Sequence, residues 1–344
     1  MTHDQEPHDP CAAPAHPLAR GARLAGGALF AAALALGGAG LASAEPGDDQ
    51  LESTTFSQSA QTDAADYWTP ERMESAAPAE ELIEEGQAPD GQVESSRTVQ
   101  VPSIAPAADA QGERQAETQD QGGAQDAAAA ATGTAHIGKV FFTVGGNDYV
   151  CSGNSVAADN GSTVSTAGHC TSEAGTWASN WVFAPGYDNG QTPHGLWSAT
   201  QLYAPQQWVG QEDMNYDIAF AVVQPDSGTG TLAEAVGASG IEFNTERGQL
   251  YTSYGYPAAA PFDGESLEQC QDFGADDTIG GTDDQAIDCD MTGGSSGGPW
   301  FAGDGPDGMQ ISVNSFGYTL QPNVMYGPYL GDVAQQVYQE AAAA

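Results

Sequence analysis

The sequence predicts an all-β domain, a sandwich or barrel of many short strands, closed by one terminal helix. Three observations carry the prediction. From about Gly133 onward, short β-branched and aromatic runs recur along the chain. Clusters of Gly, Pro, Asn and Asp separate these runs, supplying turn chemistry at each break. The tail, 332–344, has no breaker and sets Val333, Val337 and Tyr338 on one face, which reads as a short helix.

Upstream of that domain the chain is organised differently. Residues 1–23 are polar and end in Arg20 and Arg23; an apolar Ala/Leu/Gly run covers 24–41 and closes on Ala42-Ser43-Ala44. That order matches an export signal cut after Ala44. The alternative is a membrane anchor, but the run is barely long enough to span and its Gly and Ala are weakly apolar. Export gives the expectation of an extracellular protein. Residues 45–132 are acidic and rich in Gln, Ala, Pro and Ser, with hardly a large apolar side chain from 105 to 132. A segment of that kind cannot bury enough surface to offset its ordering entropy, so it is expected to be largely disordered, with a short helix around 70–85. It reads as a pro-segment removed on maturation or as a spacer that stays attached. The ordered domain is expected over 133–344.

Charge narrows the partners. The chain holds 47 acidic and 7 basic residues among 344. From residue 133 onward only Lys139 and Arg247 are basic. Such a surface argues against nucleic acid or an anionic membrane as partner, since both are polyanions. A salt-tolerant source and an ordinary acidic secreted protein explain the composition equally well. Cys11 would leave with the signal, and Cys151, Cys170, Cys270 and Cys289 remain, an even number that suggests two disulfides in an exported protein.

Within the ordered part, 139–144 and 148–152 flank Gly145-Gly146-Asn147, the pattern of a hairpin. Further strands are expected at 162–167, 181–184, 217–223, 250–256, 286–290 and 309–316.

Three segments carry chemistry. Gly293-Gly294-Ser295-Ser296-Gly297-Gly298-Pro299 can expose a hydroxyl on a tight turn and aim the N–H groups of Gly294 and Ser296 at one point, an oxyanion hole. Thr166-Ala167-Gly168-His169-Cys170 ends a strand in small residues, then His. A bond from Cys170 to Cys151 would pin the backbone beside the imidazole, worth on the order of 3 kcal/mol for a loop of this size. His136 and His194 have no such setting. Asn215-Tyr216-Asp217-Ile218-Ala219-Phe220 opens an apolar strand with a carboxylate that could orient an imidazole. Each segment taken singly also has a plain structural reading. In the order His169, Asp217, Ser296 they are far more specific.

At this point the chain resembles the chymotrypsin-like, or trypsin-fold, serine peptidases. TAGHC, DIA at 217–219 and GSSGGP at 294–299 are similar to that family's histidine, aspartate and serine motifs. The resemblance covers roughly 134–335 and leans toward bacterial secreted branches, including the glutamyl-endopeptidase-like group. It implies two perpendicular six-stranded antiparallel β-barrels with the triad in the cleft between them. It also implies a serine endopeptidase acting on protein or peptide substrates through an acyl-enzyme on Ser296. No metal or organic cofactor is required, and a monomer with no membrane association after signal cleavage is expected. The rival from another class is a protease-fold binding or adhesion module without turnover.

Departures from the family pattern bear on activation and specificity. Ser295 stands where the animal trypsin branch has an Asp that pairs with a freshly cut N-terminus. A zymogen would therefore have to use the pro-segment, by assisting folding or by blocking the cleft. Pairing of Cys270 with Cys289 is expected, partly by elimination, and would brace the loop walling the primary pocket. Asp290 has the spacing of the trypsin-branch aspartate that selects Arg or Lys, yet it also reads as one more acid beside Asp283, Asp284 and Asp288. Ser315, Phe316 and Gly317 resemble the strand that pairs with substrate backbone. Asn314 stands where the glutamyl branch usually has His. The acid-rich loop 272–290 lacks the alternation of a calcium loop and is expected to be solvated.

Overall fold

The strand Ile137–Val144 folds back on Asn147–Val156 through a two-residue turn and starts the first half of the molecule. In this computed structural model, residues 50–83, 92–107, 133–303 and 305–344 are described, all within one compact unit. The expected signal segment lies outside the described residues, as do 108–132. Six strands follow one another around the first half: Trp197–Pro205, Ala219–Pro225, Thr163–Thr166, Asn147–Val156, Ile137–Val144 and Ser179–Pro185. Pairing of Trp197 and Ser198 with Phe183 and Val182 closes the ring into a barrel. Inward-facing Val140, Phe142, Val164, Phe183, Leu202 and Phe220 fill it, all fully buried.

The second half is built mainly from antiparallel strands in two sheets. Leu250–Gly255, Glu268–Phe273, Pro299–Ala302 and Met309–Val313 form one ladder, and Gln285–Asp288 pairs with Gln321–Gly327 in another. Tyr251, Ile287, Trp300 and Ile311 pack between them. The chain ends in a helix, Asp332–Ala343, docked on the first barrel: Val337 is fully buried and Tyr338 donates its hydroxyl to Ala157 O. Each such buried aliphatic side chain contributes about 1.5–3 kcal/mol. The fold is thus all-β, a closed six-stranded barrel beside a second strand-built half, with a C-terminal helix.

Two local expectations need correction. The run 309–316 is broken into Met309–Val313 and Phe316–Tyr318, because Asn314 turns its backbone to the serine loop. Asp217 does not open the following strand; it caps a 3-10 turn, Met214–Tyr216, and the strand begins at Ala219.

The larger correction concerns 45–132. Its described residues are ordered rather than disordered. Leu51–Thr55 pairs antiparallel with the far end of Trp197–Pro205, whose edge extends beyond the barrel closure. Val99–Val101 adds an antiparallel strand to Gly240–Phe243. Between them lie helices Gln58–Tyr67 and Pro70–Ser75, the latter inside the expected 70–85. Trp68 is buried, stacks 5.3 Å from Phe141 and donates Nε1–H to Asn180 O. Arg72 reaches Asp148 at 2.8 Å. Average composition hid a few well-spaced apolar residues, and exposed sheet edges offered them partners. None of the helices among the described residues is long and apolar enough to cross a membrane.

Candidate active site

His169 sits in a 3-10 turn, Gly168–Cys170, directly after the strand Thr163–Thr166. The Cys151–Cys170 disulfide fixes that turn to the neighbouring strand, and the Trp208 ring lies 6.2 Å from the imidazole. Asp217 reaches it across 48 residues. One carboxylate oxygen accepts the His169 backbone N–H at 2.8 Å, and the other lies 2.8 Å from Nδ1. Ser315 Oγ donates to that second oxygen at 2.5 Å. Asp217 is fully buried, so these three donors replace the water it has lost. With Nδ1–H donating to a carboxylate, Nε2 carries the lone pair that can take a proton. Burial by itself disfavours the imidazolium, but the charge and hydrogen bond of Asp217, helped by the charge of Glu80, hold the His169 pKa above its ordinary value.

Ser296 belongs to the second half. Its loop is tied to the first by Ser152, whose N–H donates to Ser296 O at 2.7 Å and whose Oγ donates to Gly294 O at 3.0 Å. Ser296 O also lies 3.8 Å from Cys170 Sγ, so the serine turn rests against the histidine turn. Asn314 braces the same loop from behind: its O accepts from Gly297 N–H and its Nδ2 donates to Ser295 O. Gly294 and Gly297 have φ of +98° and +79°, in the left-handed region. A Cβ at 297 would meet Thr166 Oγ1 at 2.2 Å, so only glycine closes this turn.

The other expected residues are also located. Asp290, Met291, Thr292, Ser315, Phe316 and Gly317 line one pocket of about 230 Å³ beside Ser296. Asp290 is exposed within it rather than buried at its base. Cys270 and Cys289 are bonded, and Cys289 lies on the pocket wall. His136 is a buried core residue 2.7 Å from Asn154 Oδ1, with burial holding its pKa below the ordinary value. Among the described residues, one grouping of metal-ligand atoms exists: His169 with the sulfurs of Cys151 and Cys170, which the disulfide consumes.

One residue at the site was missed by the sequence reading. Glu80 Oε2 accepts the Gly294 N–H at 2.7 Å, the very group read as an oxyanion donor. The Ser296 hydroxyl and the His169 ring lie beside the same carboxyl. Burial pushes Glu80 above the ordinary glutamate range, outweighing the opposing pull of the His169 charge, the Ser296 hydroxyl and the Gly294 N–H. No signal marks Glu80 in a segment crowded with acids, because its role exists only across 214 positions of chain.

A histidine and aspartate from one barrel meeting a glycine-turn serine from the next is the arrangement of a serine peptidase. The chain is similar to the crystal structure of protease Anisep from Arthrobacter nicotinovorans, at 54% identity and TM-score 0.59, over 61% of this chain and 97% of that one. It is also similar to the thermostable serine protease AL20 from an extremophilic microorganism, at 50% identity and TM-score 0.60, over 62% and 99%. No family model and no curated sequence matches the chain. At that identity and coverage, the chain belongs to the chymotrypsin/trypsin-like family of serine endopeptidases.

Proposed function

We propose that this protein is a secreted serine endopeptidase that cleaves peptide bonds through an acyl-enzyme on Ser296. The observation that carries the reading is the buried Asp217–His169 pair at 2.8 Å set against the serine turn. Ser296 Oγ attacks the scissile carbonyl carbon while its proton passes to His169 Nε2. Asp217 holds the imidazole in the competent tautomer and stabilises the imidazolium. The N–H groups of Gly294 and Ser296 take the negative charge that develops on the carbonyl oxygen. Collapse expels the amine, which receives the proton from His169, and water then cleaves the ester by the same steps in reverse. Nothing in the sequence of steps calls for a metal or cofactor.

The remaining assignments follow from this one. Residues 1–44 act as the export signal, 45–132 as a pro-segment and 133–344 as the peptidase domain. Ser315–Gly317 would pair with substrate backbone beside the pocket that Asp290 lines. The test is a fluorophosphonate probe on the processed protein, followed by a peptide-library digest. Labelling at Ser296 that disappears in Ser296→Ala and His169→Ala supports the mechanism. A folded, processed protein that never labels would favour a silent binding module.

A further inference from the structure

The cleft that a substrate would enter is already filled by the chain itself. Ala77–Pro78 pairs in parallel with Tyr149 and Val150, next to Cys151. A single 3-10 turn, Ala79–Leu82, then packs against the His169 turn, with Ala79 fully buried. From that turn the Glu80 carboxylate reaches the Gly294 N–H. Ile83 continues onto the cluster that contains Trp208, Phe316 and Tyr318. His169 and Ser296 are each about 1% exposed as a result.

The direction of this segment matters. In a productive complex the side chain before the scissile bond enters the pocket between 290–293 and 315–317. The leaving nitrogen must lie by His169 Nε2, and the residues after it continue toward Cys151–Cys170. A substrate therefore runs from the 315–317 side to the disulfide side. Residues 77–83 run the opposite way, from the Tyr149–Cys151 side to the Phe316 side. The turn is also helical, so a side-chain carboxylate and not a peptide carbonyl meets the oxyanion donor. The catalytic groups are correspondingly disengaged. His169 Nε2 has no hydrogen-bond partner among the described residues, and Ser296 Oγ donates instead to Ser315 O at 3.4 Å.

We propose that residues 77–83 form a reversed, uncleavable plug that keeps this enzyme latent, with the Glu80 carboxylate seated in the oxyanion hole. The inference rests on the peptidase reading of the site. A side-chain carboxyl offers the oxyanion donor a hydrogen-bond acceptor without a scissile bond to attack, so Glu80 can hold the site and stay uncut. The neighbouring Glu81 points to solvent and has no such contact.

The experiment uses the full chain, labelled with a fluorophosphonate before any processing and read as the intact band on a gel. Glu80→Ala is expected to label roughly twofold to tenfold faster than wild type, the range spanned by one intramolecular hydrogen bond. Glu80→Gln, which keeps the acceptor, labels close to the wild-type rate, and Glu81→Ala behaves as wild type. A purely structural role for Glu80 would instead lower Tm and leave the labelling rate unchanged, which overturns the plug. In a second arm, a synthetic peptide of residues 75–83 inhibits processed enzyme and is recovered uncut by mass spectrometry. Cleavage of that peptide within 77–83 overturns the reversed orientation. Absence of labelling both before and after processing would strike the peptidase reading itself and is distinguishable from either result.

Discussion

Replacing Asp217 with Asn tests the core of the mechanism with the least change in shape. The native carboxylate accepts from His169 N–H and Ser315 Oγ and pairs with His169 Nδ1, all within 2.8 Å. An amide can keep the acceptor facing the backbone N–H, but then its NH2 faces Nδ1. The imidazole must answer with a lone pair at Nδ1, which moves its proton to Nε2. In that tautomer it cannot receive the serine proton. The loss expected for this change in a Ser-His-Asp enzyme is about 10⁴-fold in kcat, or roughly 5 kcal/mol of transition-state stabilisation. The assay is steady-state hydrolysis of a chromogenic peptide by processed enzyme, with Tm measured alongside to show that the variant is folded. A folded Asp217→Asn enzyme that loses less than tenfold would refute the claim that this carboxylate sets the tautomer.

Three further outcomes are expected. Docking of the plug raises the pKa of Glu80, where burial outweighs the pull of the His169 charge, so the closed form binds more protons than the open one. Closure is then fully favoured below the ordinary carboxylate range, roughly pH 4.3, and is weakened as pH rises through the raised Glu80 value. Asp217 behind His169 and Asp290 on the pocket wall are the other charges facing this pair. Fluorophosphonate labelling of the intact chain should accelerate with pH more steeply than that of processed enzyme; parallel profiles would refute the coupling. Removing the Cys270–Cys289 bond as Cys270→Ser/Cys289→Ser opens a loop of sequence separation 19 and should cost about 3 kcal/mol, read as a fall in denaturation midpoint with a steeper slope, because the unfolded chain expands. Gly297→Ala puts a Cβ 2.2 Å from Thr166 Oγ1 at a left-handed φ, and should abolish Ser296 labelling while costing at least 1–3 kcal/mol of stability.

Comparison of the two levels is instructive at particular residues. The glycines around Ser296 and the small residues before His169 are legible because the demand they meet is local. A left-handed turn or a close backbone approach restricts residue type within a few positions of chain. Strands rich in aromatic and β-branched residues, such as Ile137–Val144 and Leu250–Gly255, are legible for the same reason. Trp197–Pro205 and Glu268–Phe273 were not, since neither has breakers or a pattern strong enough to stand out from its surroundings. Asp217 was found as a residue but not as a turn cap, and Ser315 was read as a substrate strand although its hydroxyl also supports Asp217.

By itself the sequence determined the all-β architecture, the four bonded cysteines and the resemblance to the family, because turn chemistry and strand residues are written over short spans. Only the tertiary structure decided that residues 50–83 and 92–107 carry strands and helices, that Ala77–Pro78 pairs in parallel with Tyr149 and Val150, and that Glu80 faces the Gly294 N–H. Those facts depend on which sheet edges stay unpaired and which surfaces are left to cover. Such information arises only when residues more than 200 positions apart are packed together.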